Sequence, residues 1–310
     1  MMAFQIRVPA SSANLGPGFD SVGIALDRFL TLDVQKSDSW QFSHHSALLA
    51  DCPPYEEHLI YQIALQTAGL HGMKMAPHHV AVTSEIPFAR GLGSSASAVL
   101  AGIELADQIC DLRLSKEQIL TAATETEGHP DNVAAALFGG LVVAAQHTDD
   151  ASHEVDYVRI PMLKEVQAVL YIPDFELRTA AARGVLPRQL SRAEAVNASA
   201  VSNMMIASVL KGDYEQAGNW MEKDKFHEPY RAELLPDYDK IKQEAKQLGA
   251  YATVISGAGP SMLSLAPKTK AEQIAKRMAE ILPTYQVAAT SFNQSGLEVR
   301  AETVPHLDNI

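Results

Sequence analysis

The chain has 310 residues, more than one compact core usually holds, so two lobes with a cleft between them are expected. Its 37 acidic residues outnumber 25 basic ones for a net charge of -12, which argues against a nucleic-acid surface. With 47% hydrophobic and 20% charged residues, the composition is that of a folded globular protein, and no apolar stretch reaches the length of a membrane span.

Phe4 to Val8 alternates apolar and polar residues as a strand does, then runs into a loop of small residues from Pro9 to Asp20. Leu30 to Gln35 reads as a strand, Glu56 to Ala68 as a helix and Val80 to Ser84 as a short β-branched strand ending at Pro87. From Ser94 the chain is apolar almost all round, which predicts a buried helix with a serine cap. Ser115 and Gln118 form a capping-box pattern ahead of a helix to Thr126, and Gly128-His129-Pro130 breaks it before a further helix from Asp131 to Leu137. Phe138-Gly139-Gly140 leads into a strand from Leu141 to Ala145.

The polar, acidic stretch from His147 to Asp156 reads as a boundary, dividing the chain into domains 1–155 and 156–310. Beyond it come a strand (Gln167 to Ile172), helices near Glu194 to Leu210 and Tyr238 to Leu248, and a strand (Ala252 to Ile255). A second glycine loop, Ser256 to Ser261, precedes the strand Met262 to Leu265, and a helix from Lys270 to Ile281 is followed by more strand. The mixture is α+β.

Cys52 and Cys110 lie outside any C-x-x-C spacing, so they give no disulfide framework and no zinc motif. They read as structural or incidental thiols in a reducing cytoplasm, and the first residues show no secretory leader. His44-His45 and His78-His79 read as lying in polar loops without metal spacing, as solvated side chains and not ligands.

Pro87 to Ser97 is the most informative stretch. Gly91 and Gly93 allow close backbone approach, the helix after them points free N–H groups at whatever sits there, and Ser94 and Ser95 add hydroxyls. That combination suits a phosphate and Mg²⁺. No Gly-Lys-Ser/Thr ending makes it a Walker loop, and no V-A-I-K, H-R-D or D-F-G sequence makes it a protein kinase. It does match G-x-G-x-x-A, but the acid at dinucleotide-fold spacing, Asp111, falls between two predicted helices. A dinucleotide-dependent oxidoreductase and a silent nucleotide sensor therefore stay as the competing classes.

Three motifs in this order, Val8 to Asp20, Pro87 to Ser97 and Ser256 to Ser261, resemble those of the GHMP kinase superfamily. The Ser12-Ala13-Asn14-Leu15-Gly16-Pro17-Gly18-Phe19-Asp20 form and Gly128-His129-Pro130-Asp131-Asn132-Val133-Ala134 are similar to the branch that acts on homoserine. The resemblance implies a two-lobed α+β fold with a left-handed β-α-β unit in the ATP-binding N-terminal domain and a ferredoxin-like C-terminal domain. It implies ATP and Mg²⁺ as cofactors, a small-molecule acceptor and a homodimer.

Carried onto this chain, it makes Arg90, Gly91, Leu92, Gly93, Ser94, Ser95 and Ala96 the phosphate cradle, with Ser95 and Glu127, chosen over Glu125, holding the metal. Asn14, Asp20, His129 and Asp131 surround the amino and hydroxyl end of the acceptor, Asp20 facing the ammonium. Arg183 and Arg231 bind its carboxylate. Where relatives place a catalytic Asp this chain has Asn132, and an amide takes no proton, so no dedicated carboxylate base is expected; Asn132 orients the acceptor beside Asp131. Mevalonate is the runner-up acceptor.

Overall fold

The computed structural model describes residues 3–50, 52–147, 153–162 and 164–301. The first sheet opens with β1 (Phe4–Asn14) and β2 (Gly18–Lys36), antiparallel along most of their length. Ala10 to Asn14 continue the strand where the sequence suggested a loop, because such small side chains can be buried on both faces while other segments press close. Register shifts between Pro9 and Ala10 and between Ala13 and Asn14 interrupt the pairing and re-aim the strand end.

The sheet continues through β3 (Gln41–His44) and, after α1 (Leu59–Leu70), β4 (His78–Ser84). His44, His78 and His79 thus lie in strands and not in loops, and His78 is buried where a solvated side chain was expected. Next, α2 (Ser94–Cys110) is buried at every position from Ala96 to Asp107, as its all-round apolar sequence requires. The helix α3 (Lys116–Glu127) starts with both bonds of the Ser115/Gln118 capping box in place, and α4 (Asp131–Phe138) follows after Gly128, whose φ is 83°.

The strands β5 (Leu141–Gln146) and β6 (Val155–Ile160) form an antiparallel hairpin, with His147 N donating to Glu154 O at 2.8 Å. The acidic segment read as an inter-domain linker is therefore a hairpin connection within the first sheet; residues 148–152 of it lie outside the described residues. A polar, aperiodic tract looks the same in either role. The chain passes to the second sheet only at β7 (Val166–Pro173).

After β7 come α5 (Thr179–Gly184), α6 (Arg192–Leu210), α7 (Tyr214–Met221), α8 (Glu228–Arg231) and α9 (Tyr238–Gln247). The strands β8 (Ala252–Ile255) and β9 (Met262–Pro267), the helix α10 (Lys268–Ile281) and the strand β10 (Tyr285–Thr290) complete an antiparallel sheet in the order β10-β7-β9-β8. Reading α5 to α9 as one crossover, this is the β-α-β-β-α-β ferredoxin-like arrangement.

Alternation along β7 explains how the lobes join. Val169 and Tyr171 face the core with Ile241 of α9 and with Ile274 and Met278 of α10, while Ala168 and Leu170 belong to the larger core shared with the first lobe. Finally β11 (Glu298–Ala301) returns to the first sheet and pairs antiparallel with β1. No helix among the described residues is long and apolar enough to cross a membrane.

Candidate active site

Three loops distant in sequence close on one another. Gly91 and Gly93 both have left-handed φ, 73° and 70°, a region that costs other residues energy. A Cβ on Gly91 would stand 2.3 Å from Ser256 O, and one on Gly93 would stand 2.3 Å from Ser11 Oγ. The two glycines are thus the contacts of the central loop with the third and the first motif. Cross-bonds hold the assembly: Ser11 N donates to Leu92 O, Gly257 N to Ala13 O, and Ser261 N to Arg90 O, at 3.2, 3.1 and 3.3 Å.

This packing leaves the start of α2 without a side-chain cap, at Gly93. Helix N-termini carry unsatisfied N–H groups and a partial positive charge, a ready anion site. Gly91, Gly93, Ser94 and Ser95 line a cavity of about 340 Å³ there. Ser95 Oγ donates to Glu127 Oε1 at 2.6 Å, and both residues face the cavity, whereas Glu125 is exposed on the helix and does not line it. The remaining cradle residues behave differently. Leu92 and Ala96 are buried in the core, so only their backbone could serve a phosphate. The Arg90 guanidinium is a strut: it bonds Pro173 O, Phe88 O and Asp174 O and pairs with Glu176, and it does not line the cavity.

The opposite wall holds Asn14, Asp20, His129, Asp131, Asn132, Arg183 and Arg231. Asp131, buried at the first turn of α4, accepts at Oδ1 from Asn132 N at 2.7 Å and lies 2.5 Å from His129 Nδ1. Burial works against a charge on His129, but the bond to Asp131 and the carboxylates of Asp131 and Asp20 outweigh it and raise its proton affinity. Asn132 Oδ1 accepts from Ser11 Oγ at 2.9 Å, which fixes the amide.

Asn14 Nδ2 donates to Gly257 O, and Asn14 Oδ1 accepts from Asp20 N, so this side chain ties the first motif to the third and sets the turn that carries Asp20 at φ 54°. Arg183 donates twice to the Asp20 carboxylate, at 3.0 and 2.8 Å. The residues expected at opposite ends of an amino acid therefore bind each other.

Arg231 is only 2% exposed, its Nε donating to Ala182 O and one terminal nitrogen to Gly257 O beside His227 Nδ1. Burial, with Arg183 nearby, lowers its pKa to about 10, which still leaves it charged at neutral pH. The ring of Phe19 lies under both guanidiniums, 5.8 Å from that of Arg183 and 5.3 Å from that of Arg231.

Sequence reasoning passed over Arg178 and Thr179, which line the same cavity at the start of α5; their place in the segment leading to Arg183 was the available signal. It also passed over a second, largely apolar cavity of about 350 Å³. Leu30, Ile60, Val82, Ile86 and Phe88 line it, and it shares Ser94 and Ser95 with the first. Core-like residues scattered over β2, α1, β4 and the loop after β4 carry no spacing that marks them as a pocket.

Two α+β lobes meeting at an uncapped helix start, with a hydroxyl–carboxylate pair and convergent charges beyond it, define a phosphotransferase acting on a small molecule. Models of the GHMP kinases N terminal domain and the GHMP kinases C terminal region match residues 58–140 and 205–284, and the chain belongs to the GHMP kinase family. Its relatives over the full length include homoserine kinases. That of Bacillus velezensis is 44% identical over 100% of this chain and 98% of its own, and that of Bacillus cereus strain B4264 is 45% identical over 97% and 98%. The crystal structure of homoserine kinase from Cytophaga hutchinsonii superposes with a TM-score of 0.82 at 27% identity, covering 97% of this chain and 98% of that one.

Proposed function

We propose that this chain transfers the terminal phosphoryl group of ATP to the side-chain hydroxyl of L-homoserine, giving ADP and O-phospho-L-homoserine, a precursor in threonine biosynthesis. The observation that carries the reading is one cavity shared by the uncapped start of α2 and by Asp20, Asn132, Arg183 and Arg231. Homoserine is a zwitterion with a short hydroxyl arm. Arg183 and Arg231 suit its carboxylate, Asp20 its ammonium, and the partly exposed Asp20–Arg183 pair is a weak one that a zwitterion replaces with two pairs of its own.

In this reading the backbone of Gly91 to Ala96 receives the phosphates, and the apolar second cavity on the far side of Ser94 and Ser95 receives the adenine. Ser95 Oγ and Glu127 Oε1 suit Mg²⁺, since both are hard oxygen donors and two protein ligands leave positions for phosphate oxygens and water. Held by these two residues, Mg²⁺ would supply charge neutralisation on the transferring group.

Phosphoryl transfer through a loose transition state needs in-line placement more than a strong base. The Asp131 carboxylate is engaged by His129 and by Asn132 N, and Asn132 Oδ1 by Ser11. Asn132 Nδ2 orients the hydroxyl as a donor, and the hydroxyl proton leaves to a phosphate oxygen or to water. His129 and Asn14 position Asp131 and Asp20 respectively.

A coupled ADP-release assay across homoserine, mevalonate, galactose, serine and threonine tests the assignment. Turnover with homoserine well above the others is the expected result. Mevalonate has no ammonium for Asp20, and a preference for it would overturn the reading.

A further inference from the structure

At the wall of the second cavity lies a cluster to which the transfer step assigns no role. His44 ends β3, Cys52 follows in the connection to α1, and His58 is the N-cap of α1. Their spacing signals nothing. In space, however, one ring nitrogen from each histidine and the Cys52 Sγ all lie within 4.8 Å of one another. The two imidazoles stack with centroids 5.3 Å apart and planes 18° from parallel.

The second observation is an unmet need. Both His44 Nε2 and His58 Nε2 are buried with no hydrogen-bond partner among the described residues, and His58 is only 6% exposed. Buried polar atoms are nearly always satisfied, so two orphans on neighbouring rings call for a partner. Imidazole nitrogen and thiolate sulfur are borderline-soft donors, and no hard-cation site is built from them.

We propose that His44, Cys52 and His58 form a binding site for a borderline-soft divalent transition-metal ion, zinc(II) by donor type, with three protein ligands and one open coordination position. Binding exchanges the Cys52 S–H bond for a sulfur–metal bond, and the proton leaves to solvent. Both rings are neutral at neutral pH: burial and the neighbouring His44 lower His58 to about 4, and burial and His45 lower His44.

Coordination through His58 Nε2 places the ring proton on Nδ1 and gives up the bond from Ile60 N, which at 3.3 Å is long. Metal–nitrogen bonds of about 2.0–2.1 Å and metal–sulfur bonds of about 2.3 Å set donors about 3.5 Å apart around a tetrahedral ion, so the cluster closes by roughly an ångström. The site is separate from the Asp20–His129–Asp131 group and stands whether or not homoserine is the acceptor. Cys52 and His58 also line the second cavity, so a bound ion stiffens its wall.

The test uses the full chain, stripped with a chelator and titrated with Co²⁺ and then Zn²⁺ in thiol-free buffer. One equivalent of Co²⁺ should produce a thiolate-to-cobalt charge-transfer absorption that Zn²⁺ displaces. Cys52→Ser should abolish the absorption while Cys110→Ser keeps it, and His44→Ala should weaken binding by at least about tenfold. These replacements leave the His58 helix cap in place, and circular dichroism confirms that each variant is folded. No absorption at saturating Co²⁺, an absorption that survives Cys52→Ser, or unchanged affinity in His44→Ala would overturn the site.

Discussion

At the residue scale, the site separates groups that bind from groups that would react. Arg183 reaches the cavity from α5 and donates both its hydrogen bonds among the described residues to Asp20, so Arg183→Ala should raise the KM for homoserine by about 10- to 100-fold, the worth of a charge-assisted pair, with the KM for ATP nearly unchanged. Equal rises in both constants would mean that the arginine serves the nucleotide. Asp131→Asn keeps an acceptor oxygen for Asn132 N while removing the charge. We expect kcat to fall by less than about tenfold, where loss of a true general base costs about 10² to 10⁴. The residue types here were legible because the motifs hold them in fixed order. Which way a side chain turns was not: Arg90 runs with the phosphate loop in sequence yet braces the end of β7, and nothing in the spacing joins Asp20 to Arg183 across the two lobes.

At the scale of elements, glycine geometry sets what the phosphate loop can tolerate. Gly93→Ala must accept a left-handed φ at about 1–2 kcal/mol and also push a methyl group against Ser11 Oγ and Asn132 Oδ1. The variant should melt several degrees lower and lose ATP-dependent turnover, by thermal unfolding and ADP release; an unshifted midpoint would show that the loop has room to relax. Helix signals carried over well for the Ser115 capping box and for the burial of α2, but the serine cap expected for α2 did not: its N-cap is Gly93, and Ser94 is the first helical residue. Strand signals carried over less well. The β1 extension through Ala10 to Asn14 is built of residues that read as loop, and its pairing partner, not its own propensity, makes it a strand.

At the scale of the whole molecule, buried ionisable groups connect the substrate side to the second sheet. Glu228 accepts from Ile255 N at 2.7 Å and from Tyr238 Oη at 2.6 Å, and burial, opposed by Lys242, holds its pKa up at about 7 against an ordinary 4.5. Between those values the native state keeps a proton that the unfolded chain has lost, so this group lowers stability as pH rises from about 4.5 to 7. His227 and His58 act oppositely. Burial depresses both, so below 6.5 the unfolded chain takes up protons that the native rings refuse, and stability falls on acidification. Glu228→Gln removes the compensating slope, and its thermal midpoint should drop more steeply than the parent's from pH 6.5 to 4.5. Parallel profiles would show Glu228 ionised in the native state.

The pairing of Phe4 with Ala301 sets a schedule for folding. During synthesis β1 keeps one flank unpaired until nearly the entire polypeptide has emerged, because the strand that covers it comes after the whole ferredoxin-like lobe. The earliest strand thus waits for the latest, and an unfinished chain presents a hydrogen-bonding edge that invites pairing with a neighbour.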